Sequence, residues 1–129
     1  MASKSPLFAK NLCTVIPNAV EMHTVSFTKE EICERYHIQK NKKFILAVSH
    51  NLSDKRKGFD LFLKSLKHLN PKENYELITM GNLHRQPSSS IRHLGYISQP
   101  NEALSIYAAA DVFVLPSIED NFPNTILES

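Results

Sequence analysis

Three consecutive cations, Lys55, Arg56 and Lys57, run into Gly58, and two carboxylates, Asp120 and Glu128, stand near the other end of the chain with seven residues between them. The first group suits a phosphorylated ligand. Arginine offers a planar fork to phosphate oxygens, lysine a compact charge, and a glycine permits a tight turn and close approach of the backbone. The acids bring acceptors, and between them Asn124 and Thr125 add an amide and a hydroxyl at an expected helix start, where backbone amides favour phosphate. On composition alone, a solvated basic loop is the more ordinary reading of residues 55–57. For Asp120 a loop or helix-start acid is equally ordinary, and for Glu128 a helix-surface position.

The elements that must position these residues can be read from apolar patterning and punctuation. Val112–Leu115 is a short β-rich run that suits a strand buried on both faces of a parallel sheet. Pro116, Ser117, Asp120, Asn121, Pro123 and Asn124 then crowd a loop with turn residues, and Pro123 is suited to open a helix. Upstream, Thr28 and Glu31 form a capping box, predicting a helix through TKEEICERYHI with Ile32, Tyr36 and Cys33 on its apolar face. FILAV, 44–48, reads as a buried strand, SHNLSDKRK as the polar loop after it, and FDLFLKSLKHL as a helix packed on a sheet. YELITM is a second strand ending at Gly81, 82–90 an exposed loop, Ile91–Leu94 a third strand, and PNEALSIYAAA a helix. Repeated strand and helix predict a parallel α/β sheet wound in the order 3-2-1-4. In that order the first and fourth strands are neighbours at the topological switch point, which predicts that the loops SHNLSDKRKG and SIEDNFPNT converge on one crevice.

The acid spacing resembles the Glu-x7-Glu signature of retaining GT-B glycosyltransferases of family 4. Asp120 stands for the first Glu, Asn121 and Pro123 stand where glycines are common, and the Asp-Asn-x-Pro-Asn-Thr-x-x-Glu form looks like the variant in polysaccharide-building members. Three further pieces carry the resemblance in order: IPNAV at 16–20, similar to the segment that leads into the second domain of these enzymes, RKG at 56–58, and LGYI at 94–97. The resemblance covers Ile16–Ser129. It implies that Lys57, Gly58, Asn124 and Thr125 meet the donor diphosphate, with Arg56 supplying the role of an upstream arginine where His50 and Asn51 now stand. By the same resemblance Glu128 holds the ribose hydroxyls, Tyr96 and Ile97 lie by the nucleobase, and Asp120, Asn121 and Phe122 lie near the donor sugar. Asp120 and Glu128 are its implied catalytic pair. No metal and no cofactor are implied; a UDP- or GDP-sugar is the substrate.

Composition bounds the remaining classes. With 42% hydrophobic and 22% charged residues the chain reads as a globular domain, and a net charge of +2 demands no nucleic acid. Cys13 and Cys33 are far apart without metal-ligand spacing and read as reduced thiols of a cytoplasmic protein. The six histidines are scattered, which speaks against a metal site. Three glycines cannot make Gly-x-Gly-x-x-Gly, which disfavours a dinucleotide oxidoreductase. Asp54 after a strand has no paired acids to make a phospho-acceptor site.

The expectation is therefore the truncated C-terminal, donor-binding domain of a GT-B glycosyltransferase: 1–20 an arm and interdomain segment, 21–129 the Rossmann-like domain. In the intact enzyme it transfers a sugar, with retention, from a nucleotide-diphosphate sugar to a glycan or lipid-linked acceptor, in partnership with an N-terminal domain missing here. That enzyme is expected in the cytoplasm, with a peripheral position on the inner membrane face open to it. Alone, this chain is expected to be inactive, poorly ordered over Asn121–Ser129 and able to dimerise through a fourth strand left at the sheet edge. A non-catalytic nucleotide-sugar-binding module and a UDP-sugar epimerase of the same fold are the alternatives.

Overall fold

The first helix begins where the capping box predicts. In the computed structural model, which describes residues 24–70, 74–84, 90–120 and 124–128 with isolated positions 6, 14, 16 and 19, α1 spans Lys29–Arg35. The Thr28 hydroxyl accepts from the Glu31 amide and the Glu31 carboxylate accepts from the Thr28 amide, so two exposed donors of the first turn are satisfied reciprocally. The helix buries Ile32 and Cys33 and leaves Glu30, Glu34 and Arg35 in water. Cys33 is a free thiol, and burial pushes its pKa up.

Four strands follow in a wholly parallel sheet: β1 Lys43–Asn51, β2 Tyr75–Asn82, β3 Ile91–His93 and β4 Val112–Val114, in the order β3-β2-β1-β4. Ile45 of β1 lies opposite both Leu77 of β2 and Val112 of β4, so β1 is central. Two strands outrun their apolar cores: β1 continues to Asn51 and β2 to Asn82, past the Gly81 expected to end it. Main-chain pairing does not depend on side-chain polarity, and Asn51 still pairs with Asn82 after an irregularity beyond Val48.

Alternation along β1 divides the core. Phe44, Leu46 and Val48 face α1 and α3 (Pro100–Ala109) with Ile78, Met80, Ile106 and Tyr107, while Ala47 faces the α2 side with Phe59, Phe62, Leu77 and Ile91. Helix α2 spans Phe59–Ser65 and tightens into a 3-10 turn at Leu66–His68. Ile32, Leu46, Ile78 and Ile106 are fully covered, and each such burial contributes about 1.5–3 kcal/mol. The first face is sealed by polar joints. Buried Ser105 accepts from the Ser26 and Phe27 amides and donates to the Asn101 carbonyl; Glu102 binds Arg35 at 2.6 Å and the Tyr36 hydroxyl at 2.9 Å. Asp111 accepts from the Phe44 amide and pairs with Lys29, tying the start of β4 to β1 and α1.

Strand β4 corrects one expectation. It is not buried on both faces: Val112 is 49% exposed. Among the described residues β4 pairs only with β1 and stands at the sheet edge, where the expected strand order puts it. A last helix, α4, spans Asn124–Glu128, within the segment expected to be poorly ordered; 121–123 and 129 lie outside the described residues, as does most of IPNAV. No helix among the described residues is long and apolar enough to cross a membrane.

Candidate functional site

The loop after β1 is built by local hydrogen bonding. The Asn51 side chain accepts from Ser53 N and its carbonyl from Asp54 N, which turns the chain out of the sheet. Asp54 then caps a 3-10 turn over Lys55–Lys57 by accepting from Arg56 N at 2.9 Å. Gly58 closes that turn and opens α2. Its φ of +64° is a left-handed conformation, and a Cβ there would stand 2.0 Å from the Pro116 carbonyl oxygen, so the position excludes side chains twice.

That close approach brings the loop after β4 onto the loop after β1. Ile118 N donates to the Arg56 carbonyl at 2.8 Å, and Lys57 Nζ meets Asp120 Oδ2 at 2.7 Å, with Ser117 Oγ 3.4 Å from the same oxygen. The Lys57 and Asp120 side chains are only 31% and 19% exposed. The two loops thus converge at the β1–β4 switch point across 63 positions of sequence, as the strand order predicts. Arg56 behaves differently. Its guanidinium folds back on Asp54, donating to both carboxylate oxygens, and this contact holds the Asp54 carboxyl below its ordinary range.

At the carboxyl ends of β1 and β2 opens a cleft of about 410 Å³. Ser49, His50 and Gly81 line it from the strand ends, Tyr96 and Ile97 from the segment after β3, Ala103 and Tyr107 from α3, and Asn124 and Thr125 from α4. Tyr96 is largely exposed and meets the His50 ring edge-on, centroids 5.7 Å apart. A larger cavity, about 610 Å³, lies at the opposite, amino end of the sheet between Lys29, Lys43, Tyr75 and Val112. Ligands of open α/β sheets bind outside the carboxyl ends, so the smaller cleft is the candidate site.

Of the residues singled out in the sequence, Tyr96, Ile97, Asn124 and Thr125 share this cleft, whereas Lys57, Gly58 and Asp120 form the loop junction after β1 and β4 and do not line it. Arg56 contributes its carbonyl to that junction, while its guanidinium is turned to Asp54. Asn121 and Phe122 lie outside the described residues; Glu128 closes α4, and its side chain is likewise outside them. Sequence reasoning put Ser49 and His50 in a loop expected at the crevice without giving them a role, and did not assign Gly81 to the site. The available signal was their place at the ends of parallel strands. Residues 42–129 match the family model described as glycosyl transferases group 1, and no curated protein matches the chain.

Proposed function

The chain belongs to the group 1 glycosyl transferases, and on that premise we propose that it is the donor-binding domain of a retaining, polysaccharide-building enzyme that takes its sugar from a nucleotide-diphosphate donor. The observation that supports this reading is the junction at the β1–β4 switch point, where the Lys57 ammonium and the Asp120 carboxylate meet beyond the carboxyl ends of the strands. In this reading Lys57 neutralises charge on the departing diphosphate, a contribution that grows as the sugar–phosphate bond breaks and so favours the transition state over the bound substrate. The Asn124 amide and the Thr125 hydroxyl supply further donors, and the base lies against Tyr96 and Ile97. Glu128 accepts from the ribose hydroxyls, and Asp120 stands nearest the transferred sugar. The acceptor, a glycan or a lipid-linked glycan, is held by a facing second domain.

Calorimetry with UDP, GDP and ADP tests the reading. Wild-type protein is expected to bind at least one of the three. Lys57→Ala should weaken that ligand roughly tenfold, the size of one lost charge-assisted contact to phosphate. Glu128→Ala should weaken the nucleotide but leave pyrophosphate unaffected. Absence of binding to all three nucleotides, or indifference to Lys57→Ala, would refute the assignment.

A further inference from the structure

The Lys57–Asp120 contact raises a question that diphosphate binding alone does not answer, namely why a phosphate-binding lysine should be held by a carboxylate. We propose that Asp120 is a resident counterion that competes with the diphosphate for the Lys57 ammonium, weakening retention of the nucleoside diphosphate product relative to the sugar donor. This rests on the reading of Lys57 as a diphosphate ligand and extends it to product release and ligand discrimination.

Three features support the competition. The contact is direct, 2.7 Å, between side chains that are 31% and 19% exposed, so solvent screens it somewhat less than a fully open surface pair. The backbones that carry the two groups are joined independently, by Ile118 N on the Arg56 carbonyl and by the Pro116 carbonyl packed on Gly58, so the carboxylate cannot drift far from the ammonium. Ser117 Oγ lies 3.4 Å from the same Asp120 Oδ2. An anion arriving at Lys57 therefore meets a fixed like charge within a few ångströms, which disfavours it.

The consequence differs between ligands. Pyrophosphate or a nucleoside diphosphate gains nothing from the carboxylate and meets only its repulsion. A sugar donor adds hydroxyl groups, and a carboxylate released from Lys57 can accept hydrogen bonds from them. Asp120 thus selects for the ligand that still carries its sugar and hastens departure of the one that has lost it.

The test is calorimetry with pyrophosphate and UDP on wild type, Asp120→Asn, Asp120→Ser and Lys57→Ala, with circular dichroism to confirm folding. Both neutral Asp120 variants should bind pyrophosphate about three- to tenfold tighter than wild type, the scale of one partly exposed ion pair plus the relieved repulsion. Two different side chains guard against failure of one to fold. A structural role for Asp120 predicts the reverse, because loosening the loop would misplace Lys57. Pyrophosphate affinity unchanged or weakened in the neutral variants, with Lys57→Ala still costing affinity, overturns the counterion role and leaves the diphosphate role of Lys57 standing. Indifference of pyrophosphate to Lys57→Ala overturns both.

Discussion

Replacing Gly58 with alanine should be among the most damaging single-methyl changes available in this domain. Two costs combine. An L-residue held in the left-handed region loses about 1–2 kcal/mol relative to glycine. The added Cβ would also stand 2.0 Å from the Pro116 carbonyl oxygen and 2.9 Å from its carbon, a contact with backbone that no rotamer change relieves. The two loops must therefore part. Parting them breaks the Ile118 N to Arg56 carbonyl hydrogen bond, about 1 kcal/mol, and loosens the Lys57–Asp120 pair, up to about 1 kcal/mol at its partial exposure. The sum is about 2–4 kcal/mol. Gly95 is the internal control: its φ of +79° carries the same backbone penalty, yet nothing lies within 4 Å of its would-be Cβ, so Gly95→Ala should cost only about 1–2 kcal/mol. In urea unfolding, a gap of about 1–2 kcal/mol separates the two midpoints by roughly 0.5–1 M for a domain of this size. Gly58→Ala should also weaken pyrophosphate binding. Equal midpoints for the two variants would show that the junction does not hold the loops together, and the geometric basis of the site would fail with it.

Other perturbations probe the joints that position the site. Ser105→Ala leaves the Ser26 and Phe27 amides without their acceptor and should cost about 1–3 kcal/mol in thermal or urea unfolding; a loss under 0.5 kcal/mol would mean water replaces the hydroxyl freely. Thr28→Ala removes one arm of the capping box and should cost about 1 kcal/mol, with Thr28→Ser restoring most of it. The Phe44 amide, and after it Lys29, holds the Asp111 carboxyl below the usual carboxylate range. Because the folded value is depressed, this stabilisation is complete above the unfolded pKa of about 3.9 and is lost as pH falls through the folded value. Asp111→Asn should therefore lower stability at neutral pH and flatten the acid limb of a stability–pH curve. An unchanged acid slope would exclude Asp111 as a contributor.

The sequence by itself determined most of the element order and the winding of the sheet. Capping chemistry at Thr28 and Glu31, apolar runs at 44–48 and 75–80 and the helical stripe from Phe59 act within a few residues, so their consequences are readable without the fold. Repeated strand and helix then leave few topologies, and the order β3-β2-β1-β4 follows from the expected winding. Where the strands end was less legible, because the ladder carries polar Ser49–Asn51 as readily as the apolar residues before them. The exposure of Val112 was also missed, since an apolar run does not say how far helices cover each face of the sheet. The candidate site divides along the same line. Residue types and the seven-residue acid spacing marked Lys57 and Asp120 separately, and the strand order placed their loops together. Only the tertiary structure decided that their charges meet at 2.7 Å, that Arg56 is turned to Asp54, and that His50 joins Tyr96 in the cleft. The first and last depend on side-chain directions set by packing between segments some 46 to 63 positions apart, which leave no trace in the local pattern of a chain, while the Arg56–Asp54 contact spans two positions and turns on the 3-10 turn that Asp54 caps.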